Sequence, residues 1–339
     1  MNVLRSCSRT AIHLQTINSV TFVGKRGIRR YVFPMLKEIT RRKRKLEPSS
    51  PEPRRGFLEW NREAEIWAFN QRLKENFDMN ILTRALTHRS YVIQEEMQRE
   101  KAGLGDSELN IEDNRELIDN GRHLTSKIVE IYLSTTLPRA PEECILAIHD
   151  HLLSEEVLAN SASLIGTKDL ILSEEYPPST ETLANTFLAL VSALSRSVDE
   201  IHTSKFIRDF LIATLAERDL SELWYPVEPL KILNEILTRD GREPAEPRLI
   251  AQSGVNTVLP VYQVGLYSKK EFLGAGTEDN VEAAVKIAAI NALNDLFDLS
   301  QSSKPIKFNL TIDPSTDQVK CLPLEQWCTA NIEKLMQRN

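Results

Sequence analysis

A glycine stands inside the strongest helical pattern of this chain and limits how that helix packs. In "DNRELIDNGRHLTSKIVEIYL", residues 113–133, Leu117, Leu124, Ile128 and Ile131 recur at helical spacing. Gly121 falls in the middle, where it costs roughly 1 kcal/mol relative to alanine. A glycine kept at such a position points to close contact with another backbone. The pattern therefore predicts a helix whose face at Gly121 lies against a second element.

The chain has 339 residues, room for two domains at roughly 150 residues each. Its hydrophobic fraction of 41% is ordinary for a globular protein. No apolar run approaches the ~20 residues of a membrane helix, so no membrane span is expected. Cys7, Cys144, Cys321 and Cys328 include no C-x-x-C pair and read as reduced thiols without a disulfide framework.

The net charge of −6 hides a division. Residues 1–55 hold 14 Lys and Arg against 3 Asp and Glu, a net of +11; the remainder holds 28 against 45, a net of −17. Such a split reads as a basic extension on an acidic body and fits nucleic-acid contact by the extension. The first 37 residues contain no Asp or Glu and carry Arg5, Arg9, Lys25, Arg26, Arg29 and Arg30 among Ser, Thr and short apolar stretches. That is the composition of a mitochondrial transit peptide, assigned to residues 1–30. Residues 31–58 form a basic arm. It contains five consecutive basic residues, Arg41, Arg42, Lys43, Arg44 and Lys45, then Arg54 and Arg55 beside three prolines. It reads as a linker or extended arm with no core of its own.

From Trp60 to about residue 218 the chain reads as successive helices, broken at Gly103/Gly105, Pro138/Pro141, Gly166 and Pro177-Pro178. The first, over 60–77, places Trp67, Phe69, Leu73 and Phe77 as core. After Trp224-Tyr225-Pro226 the period changes. "EPLKILNEILTRDG" predicts a helix ending at Gly241, and "PRLIAQSG", "PVYQVGLYS" and "KEFLGAGT" predict three strands. "DNVEAAVKIAAINALNDLF" predicts a helix capped by Asp279 or Asn280. Beyond Leu299 the tail reads as irregular, with one short helix near 323–337.

Several of these stretches resemble a known family. "ALTHRSY" (85–91) is similar to the opening signature of ribonuclease III domains, "NRELIDNGRHL" follows it, and "LLSEEVLANSASLIGTKDLILS" and "LANTFLALVSAL" resemble later helices of that domain. The α-β-β-β-α unit at 227–298 resembles the double-stranded-RNA-binding domain that follows the nuclease domain in that family. The expected fold class is mainly α plus α+β: an all-helical ribonuclease-III-like domain at 59–218, a double-stranded-RNA-binding-like domain at 226–298, and a tail at 299–339. Gly274-Ala275-Gly276 fits the family's turn before the last helix.

The resemblance also carries a chemistry, and this sequence departs from it. Ribonuclease III cleaves RNA with divalent metal held by carboxylates, the hard oxygen ligands Mg²⁺ requires. Anchored on Gly121, the family's carboxylate positions on the signature helix are Arg115, Ile118 and Arg122; those on the last core helix are Asn185 and Leu188. None is an acid, so no catalytic residue, metal or cofactor is expected. A register shifted by one would offer Glu116 and Asp119, with His123 four residues on, but it displaces Gly121 and does nothing for Asn185 and Leu188. Those two acids read as solvated polar groups. "HDH" (149–151) with Cys144 falls short of a metal set, because adjacent helix residues point apart; His149 and His151 read as surface or capping groups. His88 reads as fixing local structure by hydrogen bonding.

The second domain departs as well. The family grips phosphates with lysines at the start of its final helix, where this chain has Val281, Glu282 and Val285, with Lys286 alone basic; Lys269 and Lys270 lie in a strand turn. A degenerate nuclease domain, a degenerate RNA-binding domain, a leader and a basic arm together resemble ribonuclease-III-like proteins of the mitochondrial large ribosomal subunit. The resemblance implies a structural role in the mitochondrial matrix, with large-subunit ribosomal RNA and neighbouring ribosomal proteins as partners. Family nuclease domains pair as dimers, so pairing with another ribonuclease-III-like domain stays open. An active mitochondrial ribonuclease and a free RNA-processing adaptor are the alternatives.

Overall fold

Most of the helices begin where a side chain closes off the first free backbone N–H groups. Asn61 accepts from Glu63 N (3.1 Å), Asp78 from Asn80 N (2.9 Å), Ser179 from Thr182 N (3.2 Å) and Asp199 from His202 N. These come from a computed structural model describing residues 34–42, 54–56, 60–103, 111–255, 257–300, 306–314 and 321–336. The proposed leader, Lys43, Arg44, Lys45 and Gly105 lie outside the described residues.

Two units divide the chain, Met1–Glu52 and Pro53–Asn339. In the first, residues 34–42 form α1, exposed at every position. The arm has no core there, as its composition implies, but it is helical rather than extended. Glu38 pairs along the helix with Arg41 (3.7 Å) and Arg42 (3.3 Å).

The second unit opens with α2 (Arg62–Leu73), α3 (Met79–Ala85) and α4 (Arg89–Lys101). On α2 the buried residues are Ile66 and Phe69, with Leu73 half-buried on the same face. Trp67 is 58% exposed, which corrects its assignment to the core. One residue beyond Ile66 is a rotation of about 100°, enough to turn a side chain off a narrow apolar stripe. Phe77 is buried from the loop after the helix and meets Phe206 edge-on at 6.5 Å.

Next come α5 (Arg115–Thr136), α6 (Glu142–Leu152), α7 (Glu155–Ile165), α8 (Thr180–Ser197) and α9 (Glu200–Phe210). Helix α8 is the centre of the bundle. Every residue from Thr182 to Leu194 except Asn185 is buried, as expected for a helix apolar on all sides. Helix α5 crosses it with Leu117, Gly121, Thr125, Ile128 and Tyr132 inward. Helix α7 ends at Gly166, whose φ of +88° is the left-handed cap that favours glycine.

After the short α10 (Leu220–Leu223), α11 (Pro229–Arg239) leads into an antiparallel sheet in the order β1 (Glu246–Ser253), β2 (Val261–Ser268), β3 (Glu271–Glu278). Helix α12 (Val281–Leu296), capped by Asn280, lies on β2 and β3. Gly274 and Gly276 sit inside β3, and this corrects their assignment to a turn. A Cβ on Gly276 would come within 2.4 Å of Ala284 O and Ala288 N. Glycine on the strand facing alanines on the helix lets the two backbones touch.

The tail does contain α13 (Thr329–Met336), preceded by a 3-10 turn, Leu324–Gln326. It is far from loose. Trp327 is 2% exposed, packs edge-on to Phe297 at 4.9 Å, and donates its indole N–H to Arg139 O at 2.8 Å. Glu143 accepts from Leu324 N (2.9 Å), and Asp240 accepts from Thr329 N (3.0 Å). One segment thus grips both the helical domain and the sheet domain.

Candidate functional site

The close approach expected at Gly121 is present. A Cβ there would stand 2.0 Å from Leu188 O and 2.7 Å from Leu188 C. The element pressed against the glycine is α8, at a position the family pattern assigned to a carboxylate.

Beside this crossing a cleft of about 510 Å³ opens between α5, α7 and α8. Its floor is Leu153, Leu158, Ala184 and Leu188; its rim is Arg122, Ser126, Glu155, Glu181 and Asn185. Three of the five expected metal positions therefore meet here. The other two do not line it. Arg115 is exposed at the first position of α5, 4.0 Å from Asp113, and Ile118 is half-buried against the core.

These residues do not fit a divalent cation. Arg115 and Arg122 present guanidinium groups, Ile118 and Leu188 present hydrocarbon, and Asn185 offers a single neutral oxygen. Glu155 and Glu181 border the cleft, and Glu155 accepts from Thr180 Oγ1 at 2.7 Å. Among the described residues, no three His, Cys, Asp or Glu side chains are placed to hold a metal.

The shifted register is accounted for differently. Glu116 accepts from Arg196 (2.7 Å) and Arg84 (2.8 Å), ties α5 to α8 and α3, and so has a carboxyl held below the usual glutamate range by those bonds. Asp119 is exposed on the helix. His88 caps α4 by accepting from Ser90 N (3.2 Å), the local role its sequence position implies, and burial lowers its pKa. His149 is partly buried and its Nε2 lies 2.9 Å from Ser126 Oγ, behind the cleft, which is more than a surface or capping role. Burial pushes the nearby Cys144 thiol up to about 12, so it is an unreactive part of the core.

The expected RNA-binding residues are scattered. Arg41 and Arg42 lie on α1. Arg54 reaches Glu65 and Asp169, each at 3.8 Å, while Arg55 donates to Ser173 O (3.0 Å) and lies over the Tyr91 ring. Both clamp the helical domain. Lys269, at φ +56°, pairs with Glu243 at 3.5 Å in the β2–β3 turn beside Lys270, and Lys286 is exposed on α12. Sequence reasoning missed Ser126, Glu155 and Glu181, which join the cleft from three separate helices.

A helical domain built on this crossing, followed by an α-β-β-β-α unit, defines a nuclease-type domain joined to a double-stranded-RNA-binding-type domain. Two family models match those parts: "Large ribosomal subunit protein mL44, endonuclease domain" over residues 61–194, and "MRPL44 dsRNA-binding domain" over 224–328. The chain is 30% identical over 302 residues to large ribosomal subunit protein mL44 of Caenorhabditis elegans, covering 87% of this chain and 73% of the relative. A second mL44, from Neurospora crassa, is 30% identical over 118 residues, 34% of this chain and 26% of that protein. The chain belongs to the mL44 family of large ribosomal subunit proteins. Among solved structures, it is similar to the nuclease domain of ribonuclease III from Campylobacter jejuni (18% identity, TM-score 0.38, 44% of this chain and 99% of that one). It is also similar to Dicer from Pichia stipitis (17% identity, TM-score 0.29, 54% and 87%).

Proposed function

We propose that this protein is a structural component of the large subunit of the mitochondrial ribosome, a ribonuclease III relative that contacts ribosomal RNA and neighbouring proteins and does not cleave RNA. Membership of the mL44 family supports the ribosomal role. The observation that carries the loss of catalysis is the crossing of α5 and α8. It sets Gly121 against Leu188, while Arg122, Asn185 and Leu188 occupy the positions that the resemblance to ribonuclease III assigns to carboxylates. The Arg122 guanidinium in the cleft opposes a cation as well as failing to bind it. Purified protein is expected to leave duplex RNA uncut in Mg²⁺ or Mn²⁺. Cleavage that disappears in Glu116→Gln or Asp119→Asn would reverse this reading.

The basic arm is the proposed RNA anchor, because a body of net −17 is repelled by phosphates over most of its surface. Arg41 to Lys45 neutralise phosphates and release counterions, giving an affinity that falls steeply with salt. Lys269, Lys270 and Lys286 add a second, sparser set, and Arg54 and Arg55 are already engaged by Glu65, Asp169 and Ser173 of the helical domain. The test replaces Arg41 to Lys45 with serine behind an intact leader and sediments mitochondrial extracts through gradients at rising salt. The wild type is expected with the large subunit, and the variant is expected to leave it at lower salt. Wild-type protein found only in light fractions would defeat the ribosomal role, and a variant retained at every salt would defeat the arm.

A further inference from the structure

We propose that the cleft between α5, α7 and α8 holds a single unstacked guanine of RNA; the inference rests on the reading of this protein as an RNA-contacting one. Its size of about 510 Å³ lies within the roughly 300–1,000 Å³ typical of ligand sites. Its floor is hydrocarbon, which suits the face of a base. Its rim is polar and of both signs, which suits the edge of one.

Three rim groups have unspent hydrogen-bonding capacity. Among the described residues, the side chains of Arg122, Glu181 and Asn185 make no hydrogen bond or ion pair. Arg122 is a donor only, Glu181 an acceptor only, and Asn185 is both. A phosphate does not match this set, because Glu155 and Glu181 would repel it. A purine base does. Guanine carries two adjacent acceptors, O6 and N7, the pair an arginine fork reads. Its Watson–Crick edge carries two adjacent donors, N1–H and N2–H, which suit a carboxylate. Adenine sets a donor beside N7 and has one donor group where guanine has two, so each charged group would lose a bond. Unstacked bases recognised on both edges are the usual means of reading single-stranded RNA.

The experiment uses the full-length protein and fluorescein-labelled seven-nucleotide RNAs, uridine throughout except for a central guanosine, adenosine or inosine. Inosine lacks the N2 amine. Anisotropy is expected to show the guanosine RNA bound roughly 5- to 150-fold more tightly than the adenosine RNA, the discrimination of one good bidentate pair, with inosine between them. Glu181→Gln and Arg122→Gln, both exposed positions, are expected to erase that preference while leaving the melting temperature unchanged. Asp119→Asn, outside the cleft, is expected to keep it. Equal affinity for guanosine and adenosine RNAs in wild type, or a preference that survives both substitutions, overturns the guanine site. RNA binding of that unselective kind leaves the broader RNA-contact reading standing. Failure of all three RNAs to bind overturns the guanine site too, and the sedimentation experiment then judges the broader reading independently.

Discussion

Replacing Gly121 with leucine is expected to cost about 3 kcal/mol, the upper part of the usual range for overpacking. The neighbour is backbone: an added Cβ would lie 2.0 Å from Leu188 O, and α8 is buried along nearly its whole length. Neither helix can turn a flexible side chain aside, so α5 must lift from α8. The melting temperature should fall by roughly 6–12 °C, and the protein should become scarce in cells. Gly56→Ala, where an added Cβ meets nothing within 4 Å, is the control and should melt like wild type. A normal melting curve for Gly121→Leu would mean that α5 and α8 do not cross at this point.

The second large effect is expected at Trp327. Its alanine variant should lose about 3–5 kcal/mol, as buried aromatic truncations do. The indole is 2% exposed, touches Phe297, and satisfies Arg139 O. The loss should appear in both domains at once. Urea titrations followed by hydrogen exchange should show amides in α6 and in α12 losing protection together. If only α12 responds, the tail belongs to the second domain alone.

The contrast between these two sites explains what the sequence could reveal. Gly121 was legible because a helix interior taxed by glycine has few reasons to keep it, and close backbone approach is the commonest. The α-β-β-β-α order was legible from the change of period after Tyr225. Trp67 misled because an amphipathic stripe is narrow, and a one-residue offset moves a large apolar side chain from core to solvent. Gly274 and Gly276 misled because paired glycines look like a turn, whereas here they make room for Ala284 and Ala288. The docking of Trp327 has no periodic signal at all: a single anchor in an irregular segment finds its partners only in three dimensions. The cleft was half legible. Arg122, Asn185 and Leu188 came from the family pattern, but Ser126, Glu155 and Glu181 carry no mark that distinguishes them from ordinary helix-surface residues. Likewise composition grouped Arg54 and Arg55 with the arm, although their partners lie more than ten residues away in sequence, on the helical domain.

The segment from Leu322 to Thr329 also sets an order of events. Trp327 meets Arg139 across 188 positions of chain, and Leu324 meets Glu143 across 181. Contacts so distant in sequence repay their closure entropy only after the intervening parts have become compact. The helices and the sheet can assemble from nearer partners first, and the clasp then shuts over both. Until it shuts, the side of Phe297 that Trp327 covers and the carbonyl of Arg139 stand open to water. A chaperone or an assembly partner that recognises that apolar seam would therefore distinguish an unfinished molecule from a finished one.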